Sequence, residues 1–138
     1  GQRQRLLRGP PPRGHLVVIL IVDDNPTNVR LLQLVLRSEG WSMRVAYDAT
    51  EAMFALRERL PRLILMDLQL PGVDGLSLTL ALKADERYRA IPIVAVTSYA
   101  MKGDEERARE AGCDGYVTKP IDTRTLPALI RGFLERHD

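Results

Sequence analysis

The chain has 138 residues, the length of one domain, and its 45% hydrophobic and 28% charged residues are typical of a globular protein. Its longest apolar run, residues 16–22, is too short to cross a bilayer, and its single cysteine excludes an internal disulfide framework. We therefore expect a cytoplasmic protein without a membrane segment.

The net charge of +2 is unevenly distributed along the chain. Residues 1–15 carry four arginines and no acidic residue, so removing them leaves a net charge of −2 on the remainder. The run Gly9-Pro10-Pro11-Pro12-Arg13-Gly14 has the composition of a disordered segment rather than of a folded basic face for nucleic acid. We predict that residues 1–15 are a disordered linker or cloning remnant, and that residues 16–138 form the folded domain.

Short apolar runs, rich in β-branched residues, alternate with segments of helical periodicity. The predicted strands are 15–22, 41–47, 63–66, 91–97 and 115–118, and the predicted helices are 26–40, 48–60, 75–83, 102–111 and 126–134. The strand 41–47 is only partly apolar, which favours an edge position. The helix 102–111 is short and charged, so we expect it to be partly exposed and mobile.

Helix start signals support this alternation. Asn25 and Pro26 have the types preferred at the N-cap and the first helical position. Asp48 and Glu51 have the spacing of a capping box. Five strands that alternate with five helices predict an α/β domain of doubly wound (βα)5 type, with a five-stranded parallel sheet and helices on both faces.

In a parallel sheet the carboxyl ends of the strands meet at one edge, where open α/β folds place their functional residues. The residues at these ends are Asp23, Asp24, Asp67, Thr97, Ser98 and Lys119. Clustered carboxylates repel one another unless a cation lies among them, and oxygen ligands suit Mg²⁺. The chain has no Cys/His cluster for zinc.

A magnesium ion held by carboxylates normally serves a phosphate group. Thr97 has a hydroxyl that can hydrogen-bond a phosphoryl oxygen, and Lys119 has the charge to neutralise another. An aspartate carboxylate is an accepted phosphoryl nucleophile. Asp67 follows a central, buried strand, so it is our candidate for that role.

Motifs surround each of these strand ends. They are Val22-Asp23-Asp24-Asn25, Met66-Asp67, Leu70-Pro71-Gly72-Val73-Asp74-Gly75, Val96-Thr97-Ser98 and Tyr116-Val117-Thr118-Lys119-Pro120. In combination they resemble the receiver domains of two-component response regulators, over residues 16–136. The segment 99–107 is similar to single-domain regulators of the cell-division (DivK-like) type and to some hybrid-kinase receivers. The resemblance implies a flavodoxin-like sheet in the order 2-1-3-4-5, known from a chemotaxis regulator.

The resemblance also implies roles for individual residues. Asp67 would be the phosphoacceptor for a histidine kinase or histidine phosphotransfer domain. Asp24, Asp67 and the backbone carbonyl of Gln69 would bind Mg²⁺ or Mn²⁺, with Asp23 helping directly or through water. Thr97 and Lys119 would bind the phosphoryl oxygens.

Further positions match the family's switch and turn residues. Tyr116 would be the switch aromatic that moves together with Thr97. The phosphate lifetime would be tuned by Gln69 and Tyr99, which flank the path of the attacking water, and by Ser98, which as a small residue would keep access to the site open. The structural turn residues would be Pro71, Asp74, Gly75 and Pro120, with the Lys119-Pro120 bond cis.

Output would pass through the surface of the fourth helix, fifth strand and fifth helix to an unknown downstream protein, since the chain has no room for a DNA-binding domain. We expect a signalling domain rather than an enzyme.

The alternatives are a receiver excised from a hybrid sensor histidine kinase and a degenerate receiver that acts as a phosphorylation-independent scaffold. A haloacid-dehalogenase-type phosphatase would need an acid at Gln69, and an FMN binder would need a hydroxyl- or glycine-rich loop in place of Asp23-Asp24-Asn25-Pro26.

Overall fold

The computed structural model describes residues 17–98 and 101–136. The strands are β1 (Val18–Val22), β2 (Ser42–Ala46), β3 (Leu63–Met66), β4 (Ile93–Thr97) and β5 (Gly115–Thr118). The helices are α1 (Pro26–Ser38), α2 (Ala49–Glu58), α3 (Gly75–Ala84), α4 (Asp104–Ala111) and α5 (Leu126–Arg136). The predicted alternation of strands and helices is confirmed.

All five strands are parallel and lie in the order β2-β1-β3-β4-β5. This is the expected 2-1-3-4-5 sheet, and β2 is an edge strand as predicted. The chain moves outward in one direction from β1 to β2 and then returns to build β3, β4 and β5 on the other side. The strand order therefore reverses between β1 and β3, and a crevice at such a switch point is where open α/β sheets bind ligands.

Alternating side chains of the central strands fill two separate cores, one on each face of the sheet. Residues Leu20 and Val22 of β1 belong to the core under α2, α3 and α4, while Ile19 and Ile21 belong to the core under α1 and α5. The central strands are apolar on both faces because both faces are covered by helices. Burying each such side chain contributes roughly 1.5–3 kcal/mol to folding.

The helix start signals act as the sequence indicates. The Asn25 side chain accepts hydrogen bonds from the backbone N–H groups of Thr27 and Asn28. The Asp48 side chain accepts one from Glu51 N, but the Glu51 carboxylate accepts from Tyr47 N, one residue earlier than in a standard capping box. These contacts satisfy N–H groups that helix geometry leaves without intrahelical partners.

Element boundaries differ from the prediction by a few residues. Helix α4 begins at Asp104 rather than at residue 102, because Gly103 has φ +92°, a left-handed conformation outside the helical range. Strand β4 begins at Ile93, after Pro92, which has no N–H for the sheet. The exposed residues of α4 confirm that this helix is partly exposed. In the two described ranges, no helix combines the length and apolar character that a membrane crossing requires.

Candidate functional site

The first two carboxylates come from the neighbouring central strands. Val22 at the end of β1 is paired with Met66 at the end of β3, so the residues that follow them, Asp23 and Asp67, emerge side by side. Asp67 N donates to Val22 O at 2.8 Å, which extends the strand pairing up to the acid. The register of two buried strands therefore positions these two carboxylates.

Asp23 and Asp67 are buried, with 1% and 3% of their surfaces exposed, whereas Asp24 is exposed. One carboxylate oxygen from each of the three lies within 4.8 Å of the others. Three acidic side chains so close together form a group that can hold a metal ion.

Lys119, which follows β5, brings its ammonium group to the carboxylates. Its Nζ lies 3.2 Å from Asp23 Oδ2 and 3.2 Å from Asp67 Oδ2. The backbone N of Lys119 donates to Thr97 O at 2.8 Å, and the Lys119-Pro120 peptide bond is cis as the family resemblance implies. One lysine against three carboxylates leaves the cluster with a net negative charge.

The remaining carboxylate oxygens have backbone partners. Asp67 Oδ1 accepts from Gln69 N at 2.9 Å, and Asp23 Oδ1 accepts from Asn25 N at 2.8 Å. Asp23 Oδ2 is buried and accepts no hydrogen bond from the described residues, although Lys119 Nζ lies 3.2 Å away. Burial, and then the nearby charge of Asp67, raise the pKa of the Asp23 carboxyl. A cation bound at this cluster would offset both effects, so the donor set fits Mg²⁺ or Mn²⁺.

The turn after Asp67 brings Gly75, the first residue of α3, close to the backbone of Asp67 and Leu68. A Cβ atom added at Gly75 would lie 2.3 Å from the backbone oxygen of Asp67 and 2.6 Å from the Cα of Leu68. The Asp74 side chain accepts from Ser77 N and begins α3 at this point, and Pro71 is exposed in the same turn. These contacts bring the start of α3 against the backbone of the predicted acceptor.

The fourth strand contributes Thr97, which is buried at the end of β4, and the exposed Ser98 that follows it. Ser98 Oγ donates a hydrogen bond to Gln69 Oε1. The sequence did not predict this contact, because 29 residues separate its partners and a local pattern does not say which side chains meet across that distance.

Tyr116 lies within β5, two residues before the end of that strand. It is half-buried in β5 and packs against the core under α2, α3 and α4, and burial raises the pKa of its phenol. Tyr99 and the basic lead 1–15 lie outside the described residues, so the predictions for them stay predictions. The structure thus brings the three acids, Lys119 and Gln69 together, with Thr97 at the end of the adjacent strand.

The family model described as the response regulator receiver domain matches residues 19–131. This chain belongs to that family. The predicted resemblance is therefore confirmed, and the parallel sheet with its terminal acids is a receiver domain.

Curated relatives and solved structures agree with this assignment. The chain is 44% identical over 116 residues to the polar-differentiation response regulator DivK of Brucella ovis, which covers 84% of this chain and 94% of the relative. A response regulator from Chloroflexus aurantiacus superimposes with a TM-score of 0.83 at 31% identity, covering 87% of this chain and 98% of the other.

A third comparison concerns the metal. The receiver domain of the sensor histidine kinase PA1611 from Pseudomonas aeruginosa has a TM-score of 0.79 and 34% identity, with coverage of 86% and 98%. That structure has a magnesium ion coordinated in its active-site cleft. Receiver domains from regulators and from a kinase therefore share this fold with the chain.

Proposed function

We propose that this receiver domain accepts a phosphoryl group on Asp67 from a phosphohistidine of a histidine kinase or histidine phosphotransfer domain. The observation that carries the proposal is the setting of Asp67: its carboxylate is buried beside two further acids, is held by Gln69 N and is paired with Lys119. On this proposal the chain is a cytoplasmic signalling domain and phosphoacceptor, not an enzyme that acts on separate substrates.

The metal ligands would be the carboxylates of Asp24 and Asp67 and the backbone carbonyl of Gln69, with Asp23 helping directly or through water. When bound, Mg²⁺ or Mn²⁺ supplies positive charge that offsets the charge of the carboxylates and of the phosphoryl oxygens. The exposed position of Asp24 leaves one side of the cluster open to the ion and to the phosphodonor.

Asp67 acts as the nucleophile. One carboxylate oxygen forms a bond to phosphorus while the N–P bond of the phosphohistidine breaks, and its electron pair returns to the imidazole. The hydrogen bond from Gln69 N to Oδ1 restricts rotation of the carboxylate, so it is already oriented when the donor arrives. Little covalent chemistry is required beyond this orientation and the neutralisation of charge.

Lys119 and Thr97 serve the transferred group. Lys119 Nζ is 3.2 Å from Asp67 Oδ2, close enough to stabilise the negative charge that develops on the phosphoryl oxygens. The Thr97 hydroxyl, at the end of the adjacent strand, donates to one of those oxygens. A shift of Thr97 toward the phosphoryl group would be accompanied by movement of Tyr116.

The surface that changes would be formed by α4, β5 and α5. A groove of about 490 Å³ lies there between α4 and β5, lined by Met101, Lys102, Glu105, Arg109 and Tyr116 among others. Tyr116 lines this groove, so its rotation would alter the groove and bias the binding of an unknown downstream protein.

The experiment is phosphorylation by a small donor. Incubation with acetyl phosphate and Mg²⁺ should add the mass of one phosphoryl group, measured on the intact protein at acidic pH, and Asp67→Asn should abolish the gain. A gain that survives Asp67→Asn, or no gain in the unsubstituted protein, would contradict the proposal. The complete set of acids, Thr97 and Lys119 favours this function over a phosphorylation-independent scaffold.

A further inference from the structure

Two exposed side chains form a bridge beside Asp67. Ser98 Oγ donates a hydrogen bond to Gln69 Oε1. Ser98 lies directly after β4, and Gln69 lies two residues after the predicted acceptor, so the hydrogen bond joins the turn before α3 to the loop before α4. The bridge therefore connects two segments that each adjoin the proposed phosphoryl site.

Gln69 is held at both ends. Its backbone N–H donates to Asp67 Oδ1 at 2.9 Å, and its side-chain oxygen accepts from Ser98. Asp67 is buried, whereas Gln69 and Ser98 are exposed to solvent. Two attachment points restrict the rotamers that the Gln69 side chain can adopt.

We propose that Ser98 is a positioning residue that prolongs the life of the phosphoryl group on Asp67 by holding the Gln69 carboxamide against the loop before α4. This inference rests on the proposed function, because it concerns the loss of the same group. It assigns to the Ser98 hydroxyl a role beyond that of a small residue that leaves access open.

Loss of the phosphoryl group is hydrolysis. The oxygen of a water molecule forms a bond to phosphorus, the bond between phosphorus and the Asp67 carboxylate oxygen breaks, and its electron pair stays on the carboxylate. The water's proton passes to solvent, and inorganic phosphate leaves. The rate depends on how well this water is oriented in line with the bond that breaks.

A glutamine carboxamide is a group that orients the attacking water in GTPases. In this receiver domain the carboxamide oxygen of Gln69 is turned toward Ser98, and the side chain is drawn to the neighbouring loop. Without the Ser98 hydroxyl, Gln69 would gain rotamers in which that oxygen faces the phosphoryl group. The bridge therefore slows hydrolysis by keeping a water-orienting group engaged elsewhere.

The test is a double-mutant cycle on the phosphorylated protein. Intact mass measures the first-order loss of the phosphoryl group after the phosphodonor is removed, with Mg²⁺ kept constant. The rate of this loss is compared for the unsubstituted protein, Ser98→Ala, Gln69→Ala and the double variant. Ser98→Ala should lose the group about fivefold faster, the ratio that corresponds to one hydrogen bond of about 1 kcal/mol. In the Gln69→Ala background, Ser98→Ala should change the rate little, because no carboxamide remains to be held.

Ser38→Ala is the matched control. Ser38 is an exposed serine whose hydroxyl donates to Val35 O within α1, so this change removes a surface hydroxyl without touching the site. Its rate should equal that of the unsubstituted protein. An equal acceleration by Ser98→Ala with and without Gln69, or no acceleration at all, would overturn the bridge while leaving Asp67 as the acceptor.

A second measurement does not depend on phosphorylation. The side-chain amide resonances of Gln69 should shift in Ser98→Ala, and their ¹H–¹⁵N heteronuclear NOE should fall as the carboxamide gains freedom on the picosecond–nanosecond timescale. Unchanged amide resonances would overturn the bridge in solution. A protein that takes up no phosphoryl group in any variant would overturn the proposed function and this inference together.

Discussion

Asp23 is the most deeply buried of the three acids at the site. Its carboxylate is buried beside Asp67, and its Oδ2 has an ion pair but no hydrogen bond within the described structure. Burial raises its pKa, while the hydrogen bond from Asn25 N opposes that shift only in part. The folded protein thus binds this proton more tightly than the unfolded chain does. Protonated Asp23 therefore contributes to the free energy of unfolding at pH values below the ordinary carboxylate pKa. This contribution is lost as the pH rises through the raised pKa of Asp23 in the folded protein.

The first prediction concerns this acid. At pH 7 and without divalent cations, Asp23→Asn should raise the free energy of unfolding by about 1–2 kcal/mol, because it removes a buried charge that no metal offsets. Urea denaturation in the presence of a chelator measures the change. The gain should shrink at low pH, where Asp23 is protonated in both states. A loss of stability at pH 7 would show that the ion pair with Lys119 outweighs the burial of the charge.

At the scale of elements, the turn that joins β3 to α3 sets the position of the acceptor. Gly75, the first residue of α3, lies so close to the backbone of Asp67 and Leu68 that a Cβ atom would overlap both. Backbone cannot move aside as a flexible side chain can. The helix start and the acceptor are therefore positioned by one contact.

The second prediction follows from that contact. Gly75→Ala should lower the free energy of unfolding by about 1–3 kcal/mol, the usual cost of overpacking, and should slow phosphorylation by displacing Asp67. Gly132→Ala is the matched control, because a Cβ there meets nothing within 4 Å in helix α5 and should stabilise by roughly 0.5–1 kcal/mol. Chemical denaturation and the rate of mass gain with acetyl phosphate measure both variants. Equal effects of the two changes would contradict the close approach.

The helices also show how much local patterns predict. Segment 75–83 has leucines that alternate as in a strand, yet it is helix α3, as its alanines and its place between two strands indicate. Helix α4 was predicted two residues too long, because the left-handed conformation of Gly103 is not visible in composition. Local signals therefore identify an element more reliably than they identify its ends.

At the scale of the whole molecule, the three acids that could hold a metal ion come from the ends of two strands that are brought together only in the folded sheet. Asp23 and Asp24 follow β1, whereas Asp67 follows β3 more than forty residues later. The unfolded chain has no such cluster. A divalent cation that binds the cluster should therefore stabilise the entire domain.

The third prediction tests this linkage. Mg²⁺ at about 100 times its dissociation constant should raise the free energy of unfolding by about 2.7 kcal/mol, with a matching increase in Tm. Asp24→Asn should remove most of this increase, whereas Asp122→Asn, an exposed acid outside the cluster, should keep it. Thermal unfolding at constant ionic strength measures all three proteins. The same increase in Asp24→Asn would place the stabilising ion elsewhere.

The order of residues along the chain determines the secondary structure of this protein and the type of sheet that it forms. The apolar runs, the helix caps and the residues at each strand end are local features, so alternation of strands and helices, the parallel sheet and the meeting of Asp23, Asp24, Asp67 and Lys119 at one edge can be predicted from them. The strand order came from the family resemblance, because periodicity does not say which strands are neighbours.

Only the tertiary structure decides the contacts between segments that are distant along the chain. Lys119 lies at equal distance from Asp23 and Asp67, and Ser98 reaches Gln69. The physical reason is that hydrogen bonds and ion pairs are sensitive to differences in distance of a few tenths of an ångström. Strand register and side-chain packing set those distances. Residue types predict that a phosphoryl site is present at this edge, whereas the packed fold determines which oxygen each donor meets.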